Sequence, residues 1–367
     1  MKKYKVLFTA FLIGLLVLAG CSSGPSGGDT IDVGIVLPTR DEPRWLQDEA
    51  RFKTLLTEND YTVDILFSQG NSETELSNVE TLISRGIKVL IITAHDGAAA
   101  AAAVQKAKDE GIMVIAYDRL ITDTDAIDYY VTFDSIAVGE AQAQYLVDRA
   151  EGTNNPLYLY AGGDFDNNAF LFFEGAWNVL QPKIADGTFV IKNSEKAVDY
   201  QDKATLTRNE MADIIGQITT AWDFNTAKNL AEDHLTGLGA ADKGNVFILA
   251  PNDGTSRAIA DAFAEDSDVS SYLITGQDAE IASVQYIIDG KQSMTVFKDV
   301  RTLASDAIDM AIALLTDTTP TTTGSYNNGS IDVPAKQTDV VVVDQDNVMS
   351  ALIESGYYEE SEFTFPE

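Results

Sequence analysis

Apolar positions recur along this chain in two alternating ways: as short continuous runs, and as longer stretches in which they return every three or four residues. The runs at 31–37 (IDVGIVL), 87–94 (IKVLIITA) and 112–117 (IMVIAY) show little polar alternation. Bounded by glycine and turn residues, they predict strands buried on both faces of a parallel sheet. Helical spacing at 44–59, 73–85 and 98–110 predicts the helices between them, with further strands at 61–67 and 129–133. Strand and helix in alternation indicate βαβ units.

The pattern then restarts. Helices over 136–149, 169–184, 226–235, 256–264 and 281–289 alternate with strands over 157–161, 189–192, 246–250, 272–275 and 294–297. An apolar helix at 302–315, a late strand at 340–343 and a helix at 348–355 close the chain. The stretch 201–221 reads as a partly helical excursion, and 316–330, rich in Thr, Asn and Gly, as a loop. No internal sequence repeat is present. What recurs is architecture: two α/β units in succession.

The first 21 residues do not fit this alternation. Lys2, Lys3 and Lys5 precede an apolar run at 6–18, short for a membrane span but suited to a secretory leader. Leu18-Ala19-Gly20-Cys21 follows, and then a Gly/Ser/Pro linker over 22–30. Small residues before a cysteine directly after such a run resemble the lipobox of bacterial lipoproteins. The expectation is a lipidated Cys21 as mature N-terminus, with an exported body held to the outer face of the cytoplasmic membrane by lipid alone. Cys21 is the single cysteine, so the fold has no internal disulfide to lean on.

Charge narrows the function. Asp and Glu number 57 against 25 Lys and Arg, a net charge of −32, which repels nucleic acid and anionic headgroups. Enzyme signatures are missing: there is no G-x-S-x-G elbow, Walker A loop or H-E-x-x-H. Asp164-Phe165-Asp166-Asn167-Asn168 begins like a calcium loop, but Ala169 and Gly175 stand where the turn glycine and the bidentate glutamate belong. No metal and no cofactor are expected.

Polar residues placed just after the predicted strands carry the chemistry. Arg44-Trp45 follow the first strand, Asp118-Arg119 the fourth, Asp166-Asn167-Asn168 the strand at 157–161, and Asn252-Asp253 that at 246–250. Gln277-Asp278 and Lys298 follow the next two. Ligands of open α/β sheets bind beyond the carboxyl ends of the strands, so two units face to face would converge these groups on one crevice. Each alone is better explained as a turn residue or helix cap; six in register point to a ligand. A sugar ring has apolar C–H faces and a polar rim, which calls for aromatic platforms beside Asp, Asn and Arg. Trp45 and Trp222 are the candidate platforms, whereas Trp177 lies in an apolar helix pattern and belongs to the core.

The order RW…AYDR…DNNA…ND…GQDA…TVFKD resembles the periplasmic sugar-binding proteins of ABC transporters, in the xylose-binding and multiple-monosaccharide-binding branch of the type I fold. The likeness runs from Ile31 to about Phe363 and includes GYY at 356–358. It implies an α/β protein of two doubly wound parallel-sheet lobes joined by three crossovers, near 133–135, 297–299 and 330–334. The N-terminal lobe would then comprise 31–133 with 299–331, and the C-terminal lobe 134–298 with 332–367. By matching motif, Arg44, Asp118, Arg119, Asn168, Asn252, Asp278 and Lys298 would hydrogen-bond sugar hydroxyls, while Trp45 and Trp222 stack on the ring. The stretch 193–221 is longer than the family pattern. His95 reads as a solvated turn residue.

The implied function is high-affinity capture of a monosaccharide, xylose or another aldopentose or aldohexose, by a monomer that delivers it to an ABC permease without chemistry. A sugar-sensing module serving a chemoreceptor or histidine kinase is the alternative, and a glycosidase a weaker one. A sugar-responsive repressor is excluded, because an export signal stands where its DNA-binding headpiece would be.

Overall fold

The computed structural model describes residues 31–366; Cys21, the apolar leader and the linker lie outside them. The first unit runs β1 (Val33–Leu37), α1 (Pro43–Glu58), β2 (Val63–Phe67), α2 (Ser72–Ser84), β3 (Val89–Ile92), α3 (Ala101–Asp109), β4 (Met113–Tyr117) and β5 (Tyr129–Phe133). These strands pair in parallel in the order β5-β4-β3-β1-β2. Every residue of β1 and β3 is buried, as expected of strands covered by helices on both faces.

The second unit follows with α4 (Ser135–Val147), β6 (Asn155–Leu159), α5 (Asn167–Ala185), β7 (Phe189–Ile191), α6 (Glu195–Asp199), α7 (Arg208–Ile218), α8 (Phe224–Gly237), β8 (Gly244–Leu249), α9 (Asp253–Glu265), β9 (Val269–Ile274), α10 (Ile281–Ile288) and β10 (Thr295–Phe297). Its parallel sheet has the order β7-β6-β8-β9, and a bridge between Gln277 and Val296 continues it to β10. Helix α11 (Val300–Leu315) then returns to the first sheet, where it packs on α1, β3, β4 and β5. Strands β11 (Gly324–Asn327) and β12 (Asp332–Thr338) extend that sheet beyond β5, before β13 (Val341–Val343) pairs antiparallel with β10.

The chain therefore passes between the sheets at 133–135, at 297–300 and between Thr338 and Val341. The first two positions match expectation, but the third does not. Residues 332–338 pair in parallel with β5 in the first sheet, so neither a crossover at 330–334 nor a second lobe beginning at 332 fits. The sequence DVPAKQT hides this strand, because Pro334 and four polar residues suppress the apolar signal. Only Val333 and Ala335, both fully buried, mark its inward face. Likewise 316–330 is not all loop: the polar GSYN forms the edge strand β11, antiparallel to β12. The closing helix expected at 348–355 is a five-residue helical turn, Met349–Ile353.

The excursion at 201–221 resolves into α7, opened by a Thr207–Glu210 capping box and docked on α5. It ends with Thr219 bridging to Ala161 beside β6, which fixes the approach to Trp222. Helices α4 and α5 cross so closely that a Cβ on Gly139 would meet the Phe172 carbonyl oxygen at 1.8 Å. This contact sets the position of α5 and so of Asn168 and Phe172.

Candidate functional site

All nine residues expected from the sequence line one inner cavity: Arg44, Trp45, Asp118, Arg119, Asn168, Trp222, Asn252, Asp278 and Lys298. Eight reach it from the carboxyl ends of strands or from the first turn of the helices that follow, and Trp222 from the turn between α7 and α8. Cap and lining roles coincide. Asp166 caps α5 by accepting from Asn168 N at 2.9 Å, and Asn252 caps α9 by accepting from Thr255 N at 3.4 Å and from the Thr255 hydroxyl at 2.6 Å. Pro43 opens α1 in the position its fixed φ favours, placing Arg44 and Trp45 in the first turn.

The centre of the cavity is a buried charge network. Arg44 donates from Nε to Asp48 at 2.8 Å, from Nη2 to Asp118 at 2.8 Å and from Nη1 to Asp278 at 3.4 Å. Asp48 also accepts from the Tyr117 hydroxyl. Lys298, at the second crossover, holds Asp278 Oδ1 at 2.8 Å. Asn168 Nδ2 donates to both the backbone carbonyl and the carboxylate of Asp118, at 3.0 and 3.1 Å. Arg44 and Asp118 stand on the first unit, Asn168 and Asp278 on the second, so these bonds cross between them. Nearer the mouth, Arg119 pairs with Asp166 at 2.9 Å and Glu42 at 3.7 Å.

Aromatic rings frame the network. The Arg44 and Arg119 guanidiniums lie 4.9 and 5.2 Å from the Trp45 ring. Trp222 meets Phe172 edge to face, 6.3 Å between centroids, and its benzo edge occupies the space a Cβ on Gly162 would need, 2.0 Å away. Trp45 lines the cavity and also belongs to the core: it is 2% exposed and packs with Phe52 and Tyr117. Trp177 is core alone, as expected.

Two signs mark the cavity as built for a ligand. Asp118, Trp222 and Asp278 adopt φ of 62°, 60° and 97°, a region that non-glycine residues occupy at a cost and that clusters at binding sites. Asn168 Oδ1, Trp222 Nε1 and Gln277 Oε1 are buried without a hydrogen-bond partner among the described residues. Buried polar atoms are normally satisfied, so these need an acceptor or donor from elsewhere.

Electrostatics define what the cavity offers. Burial alone would raise the Asp118 carboxyl, but Arg44, Lys298 and Arg119 outweigh it and hold the group below its usual value. Asp118 is an ionised acceptor at any physiological pH. Burial pushes Glu42 up to about 7, with Arg119 opposing, and raises Asp166 as well. Glu42, Asp166, Phe172 and Gln277 also line the cavity and were absent from the expected set. Asp166 and Gln277 stood in the strand-end motifs and read as caps; Glu42 precedes its helix with no motif. His95 stands in a bend after β3, as expected, but is half-buried rather than fully solvated: its ring lies 4.8 Å from Phe165, and it lines a second cavity outside the first.

Beneath that loop lies Glu75, fully buried, accepting from His95 N at 2.8 Å. Burial pushes its carboxyl up to about 7. The folded state therefore keeps a proton that the unfolded chain releases above about pH 4.5, so this group lowers stability as pH rises from there to 7, after which the loss levels off. Glu75→Gln keeps the acceptor and removes the titration. Its melting temperature should rise relative to the parent between pH 5 and pH 8; parallel curves would contradict the assignment.

Two α/β units whose strand ends close on one polar, aromatic-walled cavity define a two-lobed solute-binding protein. The chain belongs to the family of the periplasmic binding protein domain, whose model matches residues 33–319. It is 70% identical to a carbohydrate transporter solute binding protein from Chloroflexus aurantiacus, solved in complex with D-glucose, with a TM-score of 0.90 over 91% of this chain and 98% of that one. The multiple sugar-binding periplasmic receptor ChvE of Rhizobium radiobacter is 36% identical over 369 residues, 98% of either chain. The D-xylose-binding periplasmic protein of Escherichia coli K12 is 32% identical over 333 residues, 90% of this chain and 92% of that protein.

Proposed function

We propose that this protein captures a neutral monosaccharide outside the cytoplasmic membrane and delivers it to an ABC permease. The convergence of all nine expected residues on one cavity with unsatisfied polar atoms carries the reading. Asp118, Asp278 and Asn168 accept from hydroxyls, Arg44, Arg119, Asn252 and Lys298 donate to them, and Trp45 and Trp222 cover the ring faces. Four carboxyls, those of Glu42, Asp118, Asp166 and Asp278, face three cations, Arg44, Arg119 and Lys298. That balance favours a neutral polyol over an anion. A sugar touching residues of both lobes stabilises the closed form, which is the form a permease can distinguish from the open one. Binding and release suffice, and the protein performs no chemistry.

D-glucose and D-xylose are the first ligands to test, given the sugars named for the C. aurantiacus and E. coli relatives. In a thermal-shift screen of about twenty monosaccharides, at least one should raise the melting temperature, because a ligand of the native state alone stabilises it. No shift with any of them contradicts the proposal. The word "receptor" in the name of the R. radiobacter relative supports a second reading, in which the loaded protein also signals to a chemoreceptor or sensor kinase.

No helix among the described residues is long and apolar enough to cross a membrane. Anchoring is assigned to a lipid on Cys21, and the protein acts as a monomer. Cys21→Ser should move the protein from the membrane fraction to the soluble one; retention on the membrane would refute the lipid anchor.

A further inference from the structure

The inner cavity does not end at Arg119. A second cavity of about 360 Å³ lies outside it, and Glu42, Arg119, Trp222 and Asn252 wall both. Its sides come from both lobes: Thr39 after β1 and His95 after β3 face Phe165, Phe224 and Gly254.

Two features distinguish this space from a water-filled entrance. The first is its aromatic lining. The Phe165 and His95 rings lie 4.8 Å apart at 37°, forming one wall across the lobes. Phe224 is 42% exposed, an uncovered ring at the first position of α8, two residues after the half-buried Trp222. The second is that its cations are already engaged: Arg257 pairs with Glu280 at 2.8 Å and Arg119 with Asp166 at 2.9 Å. Gly254 leaves room as well, since a Cβ there would meet nothing closer than 3.9 Å. Flat rings suit the apolar face of a neutral sugar, and the exposed carboxylates of Asp41 and Asp223, which also line the cavity, accept from its hydroxyls.

We infer that the outer cavity is a second sugar subsite, holding the ring that is glycosidically joined to a monosaccharide seated in the inner cavity. The protein then accepts a neutral disaccharide or glycoside as well as a free sugar, with Trp222 and Asn252 beside the linkage. This inference rests on reading the inner cavity as the monosaccharide site. No bond is made or broken; the second ring only covers apolar surface that a single sugar leaves in water.

Calorimetry on the full mature chain tests it, with D-glucose, methyl β-D-glucoside, cellobiose and maltose as probes. At least one disaccharide should bind within about tenfold of D-glucose. Phe224→Ala, outside the inner cavity, should weaken that disaccharide by about tenfold or more and leave D-glucose within about twofold. Gly254→Leu, which fills the outer cavity, should exclude the disaccharide and spare D-glucose. If D-glucose binds and none of the three larger probes does, the subsite is overturned while the monosaccharide reading stands. Equal weakening of D-glucose and the disaccharide in both variants overturns the subsite too. Silence toward all four sugars overturns the subsite as well, and the thermal-shift screen of monosaccharides then decides the monosaccharide reading separately.

Discussion

Asp118→Asn should lower affinity for the sugar by about 2–5 kcal/mol, which is roughly thirtyfold to several thousandfold. The substitution keeps the shape of the side chain, and asparagine tolerates the φ of 62° that this position requires. What it removes is charge. Asp118 is the acceptor shared by Arg44 at 2.8 Å and Asn168 at 3.1 Å, and hydrogen bonds to an ionised partner are about twice as strong as neutral ones. Arg44 retains Asp48 and Asp278 as partners, so the variant should stay folded with a modest drop in melting temperature. Titration calorimetry on the folded variant checks this, and affinity within threefold of the parent, about 0.6 kcal/mol, would contradict it.

Trp45→Ala should have a double effect, because the indole serves the core and the cavity together. Removing a buried tryptophan costs about 3–5 kcal/mol of stability, and here it also strips the ring that lies under Arg44 and Arg119. Sugar binding should become undetectable by calorimetry, with a large fall in melting temperature. Trp45→Phe separates the two roles: it should recover most of the stability and only part of the affinity. Full affinity in the alanine variant would remove Trp45 from the site.

Much of this arrangement is legible in the sequence, for identifiable reasons. Strands covered on both faces read as unbroken apolar runs, so β1, β3 and β4 stand out, and the polar residues that follow them can be placed at one edge without further information. Asp118 and Arg119 are found this way. The same logic fails for β11 and β12. Their sequences, GSYN and DVPAKQT, sit at the margin of the sheet, where exposure permits polar side chains and a proline; pairing with the neighbouring strand, not propensity, makes them strands. The third crossover moves with them, from 330–334 to just after Thr338.

Site residues divide similarly. Those named by strand-end position or by aromatic character converge on the cavity, while Glu42 and Phe172 do not announce themselves. Glu42 enters only through the fold, which swings the loop after β1 to Arg119; Phe172 faces inward because Gly139 lets α5 approach α4. His95 shows the converse. Its sequence context, His-Asp-Gly, is that of a turn, and its contact with Phe165 depends on the facing lobe. Residues whose role is set by contact between lobes carry no local signature.

The chain has three tryptophans. Trp45 and Trp222 wall the cavity, and Trp177 lies in the core of the second lobe. In a Trp177→Phe variant, every remaining indole reports on the cavity. Titrating that variant with D-glucose and D-xylose should give, for at least one of them, a saturable change in tryptophan emission that fits a single site. A folded variant whose emission does not respond to either sugar, while the same sugar raises the melting temperature, would place the ligand elsewhere and contradict the account.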